Sequence, residues 1–157
     1  MHLGKFAGYG FGPRREHLTG MPHFKTVDFR GEFPLAELTF NDSSFPGQVH
    51  LAAFNPFIPL NDKDSGIPAA FFEFEITNTQ SAPLRYSLVG VLGNPLPKNN
   101  LHTIEHSDRF HLLHLRSDGL GSDAVTYGDL TLATDATEVS WQQYWFQGAW
   151  FDSLEVY

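Results

Sequence analysis

Ala69-Ala70-Phe71-Phe72-Glu73-Phe74-Glu75-Ile76-Thr77-Asn78 is the stretch on which the fold turns. Ala70, Phe72, Phe74 and Ile76 recur at every second position with Glu73, Glu75 and Thr77 between them. Successive side chains of an extended backbone leave on opposite faces, so this period of two describes a half-buried β-strand. Polar Asn78-Thr79-Gln80-Ser81-Ala82-Pro83 closes the run. Leu84 to Leu92 then sets Leu84, Tyr86, Leu88 and Leu92 on one face. The short loop between the two runs predicts a hairpin that anchors the core.

Working outward, short apolar alternations broken by turn residues continue from Phe24 to the end, at the spacing of an antiparallel sandwich. Further strands are expected at Thr26 to Phe29, Pro34 to Phe40, Gln48 to Phe54, Phe110 to Leu115, Asp129 to Thr134 and Leu154 to Tyr157. That makes about eight in all. No segment carries a helical apolar stripe over ten or more residues, and Val139 to Phe146 fits neither template well. Residues 1–23 contain five glycines and two prolines without a sustained period. The expected architecture is therefore all-β: an irregular lead-in over 1–23 and an antiparallel β-sandwich over 24–157.

Composition agrees. A chain of 157 residues, 41% hydrophobic and 18% charged, is sized for one domain and can bury a core. Fifteen Phe, five Tyr and three Trp suit pleated sheet better than helix. The formal charge is −8, and Lys5, Arg14, Arg15, Lys25 and Arg30 supply half of the ten basic residues within the first 30 positions. The aromatic-rich remainder is acidic, which argues against nucleic acid or an anionic membrane as partner. There is no cysteine, hence no disulfide, thiolate metal site or Cys nucleophile. Neither a signal peptide nor a membrane span is visible in the sequence, so a cytoplasmic setting is expected.

Several groupings invite a chemical reading. His102, His106, His111 and His114 lie close together, but on a strand His111 and His114 project to opposite faces, and no nearby carboxylate completes a familiar ligand set. Asn61-Asp62-Lys63-Asp64-Ser65-Gly66 resembles a calcium loop until the sixth position, where the required Gly is Ile67, so it reads as an Asx-rich turn. Glu73 and Glu75 share a strand face, which solvent exposure explains without chemistry. No Gly-x-Ser-x-Gly elbow, phosphate loop or dinucleotide fingerprint is present. The tail holds Trp141, Tyr144, Trp145, Phe146, Trp150, Phe151 and Tyr157, whose rings could fill a core, cover an interdomain surface or stack on sugars.

Three stretches together carry a family resemblance. The first is Gly20-Met21-Pro22-His23-Phe24 with Phe29-Arg30-Gly31-Glu32-Phe33-Pro34-Leu35-Ala36. The second runs Ala53-Phe54-Asn55-Pro56-Phe57-Ile58-Pro59-Leu60-Asn61-Asp62-Lys63-Asp64-Ser65, continuing Ile67-Pro68-Ala69-Ala70. The third joins Tyr127-Gly128 and Ala133-Thr134-Asp135 to Tyr144-Trp145-Phe146-Gln147-Gly148-Ala149-Trp150-Phe151-Asp152. In this order they resemble glycosyl hydrolase family 116, which includes the non-lysosomal glucosylceramidases, or bile-acid β-glucosidases, and bacterial β-glucosidases.

The resemblance implies a non-catalytic N-terminal β-sandwich that precedes an (α/α) barrel, the barrel holding the Glu nucleophile and Asp acid/base of a retaining mechanism. Neither catalytic motif has a counterpart in this chain, so it is expected to be a fragment, a truncated reading frame or a split subunit, inactive alone. No catalytic residue, cofactor or metal is expected, and glucoside substrate is met only through the barrel partner. The candidate interface or cleft-rim residues are Asn55, Phe57, Ile58, Trp141, Tyr144, Trp145, Trp150 and Phe151. A free-standing carbohydrate-binding module is the alternative, and a small hydrolase using Asp62 or Asp64 is a third reading. Unpaired strand edges make a homo-oligomer possible.

Overall fold

The computed structural model describes residues 22–97 and 99–143. The expected lead-in, apart from residues 22 and 23, and the expected strand Leu154 to Tyr157 lie outside the described residues. The chain is all-β: seven strands in two antiparallel sheets, with one four-residue helix among the described residues. It divides at Leu88/Val89 into two compact units, each holding one sheet.

The first sheet is a meander, β1 (Thr26–Glu32), β2 (Leu35–Asn41), β3 (Gly47–Phe54) and β4 (Phe71–Asn78), in the order β1-β2-β3-β4. Its register sorts the residues by face. Val27, Phe40, Val49 and Ile76 form one row, and Phe29, Leu38, Leu51 and Phe74 the next. Gly31, Ala36, Ala53 and Phe72 form the third row of this apolar face. The opposite face carries Asp28, Thr39, His50 and Glu75, then Arg30, Glu37, Ala52 and Glu73. One face apolar and one polar is what an antiparallel sheet with a single buried side requires. Val49 is buried on the apolar face, whereas Phe29 and Phe72 at the two edge strands are exposed.

At one end of this sheet Asp42 turns the chain from β2 into β3. Its Oδ1 accepts from the Ser44 N–H at 2.8 Å and from the Ser44 hydroxyl at 2.6 Å. Phe45 then meets Phe24, ring centroids 5.1 Å apart, and Tyr86 at 5.9 Å. The Tyr86 hydroxyl donates to the Pro46 carbonyl at 2.6 Å.

That last contact bears on the predicted hairpin, which does not form. The ladder partner of β4 is β3, and residues 84–92 are not a strand. Asn78 diverts the chain: its Oδ1 accepts from Gln80 N at 2.8 Å and its Nδ2 donates to Ala82 O at 2.8 Å. Pro83 follows with no N–H to offer a ladder. Tyr86 is instead tied to the β2–β3 turn, and the segment runs on as the link between the two units.

The second sheet has the order β5-β6-β7, from β5 (Asn100–His106), β6 (His111–Ser117) and β7 (Asp129–Thr134). Leu115 in the central strand is fully buried, opposite His102 and Leu130. Ile104, Leu113 and Leu132 form the next row of the same face. Strand β5 has no counterpart among the expected strands, because its alternation sets two histidines, Asn, Thr and Glu among only two large apolar residues. Asn94 braces the approach to it, donating to Arg116 O at 3.1 Å while accepting from Leu96 N at 3.0 Å.

Candidate functional site

The β1–β2 turn and the β3–β4 connection emerge at the same end of the first sheet, because Glu32 and Leu35 share a row with Phe54 and Phe71. Two-residue turns cannot bury a large side chain within themselves, and Phe33 in the Phe33-Pro34 turn is 84% exposed. The Phe57 ring meets it edge-on, centroids 4.9 Å apart at 68°. Behind them Phe54 and Phe71 stack at 5.3 Å.

The connection holding Phe57 is long but well tied. Asn55 Nδ2 donates to Ala69 O at 2.5 Å and closes its base. Ser65 clasps Ile58 from both sides: the hydroxyl accepts from Ile58 N at 2.9 Å and donates to Ile58 O at 3.1 Å. Asn61 caps the single helical turn α1 (Asp62–Ser65), accepting from Asp64 N at 3.1 Å and donating to the Asp64 carboxylate at 2.7 Å. This is the Asx-rich turn the sequence suggests. Leu60 takes a left-handed φ of 63° and is fully exposed.

These bonds satisfy backbone polar groups and leave the apolar side chains pointing out. Phe57 and Ile58 are about half exposed, at 48% and 49%. Phe57, Ile58 and Leu60 line a shallow depression of about 270 Å³, and Phe33, Leu35, Ala53, Phe54 and Phe72 line another of about 400 Å³. Contiguous exposed apolar side chains on a tied loop mark a surface suited to burial against another protein surface.

Of the sequence-derived residues, Asn55, Phe57 and Ile58 come together here. Trp141 belongs to the second unit, half-buried with its indole N–H buried and lacking a hydrogen-bond partner among the described residues. Nearby, Gln143 Nε2 donates to His102 O at 3.1 Å, and the Gln143 carbonyl meets His102 Nδ1. Tyr144, Trp145, Trp150 and Phe151 lie outside the described residues. Phe33 and Leu60 join this surface although neither is among the residues expected at it. The signal for Phe33 is an aromatic directly before Pro between two strand patterns.

The carboxylates do not form a glycosidase pair in this region. Asp62 and Asp64 sit at i and i+2 of one helical turn, where side chains do not face each other, and Asp64 is engaged with Asn61. Glu73 and Glu75 lie exposed on the polar face of β4. The histidines are dispersed over both faces of the second sheet. His111 pairs with His106, Nδ1 to Nδ1 at 2.6 Å, whereas His114, on the opposite face, meets Thr131 Oγ1 at 3.0 Å and Glu105 at 3.6 Å. Among the described residues no three His, Asp or Glu are grouped to hold a metal ion.

No curated protein matches the chain. Residues 10–153 match the family model described as beta-glucosidase 2, glycosyl-hydrolase family 116 N-term. The match spans well over half of the sequence, and the chain belongs to the N-terminal domain family of glycosyl hydrolase family 116.

Proposed function

We propose that this chain docks on the (α/α)-barrel catalytic domain of a β-glucosidase, supports it and shapes one rim of its glucoside cleft, with no chemistry of its own. The observation that carries the proposal is the apolar end of the first sheet. Phe33, Phe57, Ile58 and Leu60 face outward from a loop whose backbone is held by Asn55, Asn61 and Ser65. Ordering such a loop and leaving its apolar residues uncovered is unfavourable unless a partner surface buries them. Membership of the N-terminal domain family supports this reading, and the resemblance implies a retaining glycoside hydrolase barrel as partner, with β-glucosides as the substrate class and glucosylceramide as a lipid member of it.

Direct sugar binding by a free-standing module is the rival. Stacking platforms present flat ring faces, whereas Phe33 and Phe57 meet at 68° with the edge of one against the other, which favours protein packing. The deciding experiment measures β-glucosidase activity of the 157-residue chain alone and after mixing with a separately expressed barrel domain from a relative. Activity that appears or rises only on mixing is expected. Activity of the chain alone, or saturable glucoside binding with no effect on the barrel, overturns the proposal.

A further inference from the structure

Among the described residues strand β1 ends the sheet order on one side, and all seven of its residues are exposed. Its apolar members share in this, Phe29 at 69% and Val27 at 44%. An edge of this kind presents a row of backbone donors and acceptors ready to pair with another strand. What singles out β1 is its charge order, with Asp28 directly before Phe29 and Arg30 directly after it.

We propose that β1 pairs with β1 of a second copy of this chain, antiparallel about a two-fold axis at Phe29. The two four-stranded sheets then become one. Residues directly opposite in an antiparallel pair share a face, as do a residue and its own symmetry copy, so the axis passes through a residue and never between two. With the axis at Phe29 all seven residues of β1 pair. Asp28 lies opposite the partner's Arg30, and Arg30 opposite the partner's Asp28. Thr26 lies opposite the partner's Glu32, and Val27 opposite the partner's Gly31. An axis at Asp28 or Arg30 sets identical charges against each other, and one at Val27 or Gly31 pairs only three residues of the strand.

The other edge of the sheet opposes itself in both registers that pair seven of its residues, about Phe74 and about Glu75. In β4, Glu73 and Glu75 flank Phe74, so pairing about Phe74 sets each glutamate against the partner's other glutamate. Pairing β1 with β4 of another copy fails in the same way. Arg30 opposite Glu73 brings Asp28 opposite Glu75, and Arg30 opposite Glu75 brings Glu32 opposite Glu73. The present partners of the β1 charges are replaceable: Arg30 bonds Glu32 at 3.0 Å with both side chains about 70% exposed, and Asp28 accepts from Asn41 at 2.8 Å.

The absence of cysteine from the chain makes the register directly testable. Phe29→Cys in the full chain is expected to form a disulfide-linked dimer under mild diamide oxidation. Thr26→Cys and Glu32→Cys are expected to link to each other when mixed, and neither to itself. By sedimentation the unmodified chain should approach twice 17.6 kDa as concentration rises. Asp28→Arg or Arg30→Asp alone turns two attractive pairs into two repulsive ones and should weaken association by at least about tenfold. The double variant Asp28→Arg/Arg30→Asp restores complementarity and should restore the dimer. All these positions are exposed, so circular dichroism should be unchanged. A single-copy mass at every dilution, dimers that survive single charge reversal, or oligomers growing beyond two copies overturn the proposal.

Discussion

Phe57 rests edge-on against Phe33, ring centroids 4.9 Å apart, and so joins the β3–β4 connection to the β1–β2 turn at one end of the sheet. Neither ring is buried by this contact. The pair holds one long loop against one tight turn, and both then offer apolar surface from the same end of a sheet whose opposite end is sealed by Phe24, Phe40, Phe45 and Tyr86. The asymmetry between a closed end and an open end is what favours the open end as the proposed docking surface.

Replacing Phe57 by Ala should therefore separate two effects. The isolated chain should lose no more than about 1.5 kcal/mol in a denaturant titration, the upper range for an aromatic pair. Affinity for a barrel domain should fall by on the order of tenfold or more, as for a central apolar anchor. Equal affinities for the parent and F57A chains, measured by calorimetry, would place the interface elsewhere.

Ser65 holds Ile58 by a bond to its N–H and another to its carbonyl. Ser65→Ala removes both, at a cost of about 1 kcal/mol for a solvent-accessible loop. Amide exchange at Ile58 should then quicken by roughly fivefold while exchange in β3 and β4 stays as it was. Faster exchange throughout the sheet would mean that the clasp supports the fold and not only the loop.

The strands legible in the sequence are those in which apolar alternation coincides with a partner on each side or with clear turn residues. Asp129–Thr134 is a strand in both pattern and structure, and β1 to β4 agree to within a few residues. Leu84 to Leu92 alternates equally well and is not a strand. Periodicity reports which face a segment could bury, but not whether a neighbouring edge accepts its hydrogen bonds. Here Asn78 and Pro83 settle that locally. Strand β5 shows the converse, because ladder pairing to β6 makes a strand of residues whose own pattern is weak. At the candidate site, Phe57 and Ile58 stand out in the sequence as apolar residues in a Pro-rich loop. Phe33 joins them only through the register that brings its turn to the same end.

Asp42 gives the fold a pH dependence of known sign. The Ser44 hydroxyl and then the Ser44 N–H hold its carboxyl below the usual carboxylate value, outweighing the opposing effect of burial, with the Lys25 ammonium adding a lesser contribution in the same direction as Ser44. A carboxyl depressed in the folded state stabilises the fold fully above the unfolded-state value of about 4, and that contribution fades as pH falls through the folded-state value. Asp42→Asn keeps an acceptor for Ser44 but cannot titrate. Its unfolding midpoint should therefore vary less with pH below about 4 than that of the parent chain. Parallel acid profiles for the two chains would show that the turn is held by the Ser44 bonds irrespective of charge.

Leu60 combines a left-handed φ of 63° with a fully exposed side chain, two features that each disfavour leucine. A non-glycine residue in this region costs about 1 kcal/mol or somewhat more, and glycine removes that strain while adding freedom to the unfolded chain. Leu60→Gly should therefore leave the isolated chain equally stable or more stable by up to about 1 kcal/mol. A residue that strains its own loop and covers nothing within it is explained if the side chain is buried on docking. The same variant should then bind a barrel domain more weakly, so that stability and affinity move in opposite directions. If L60G gains stability and binds as well as the parent chain, Leu60 is outside the interface, and the docking surface contracts to Phe33, Phe57 and Ile58.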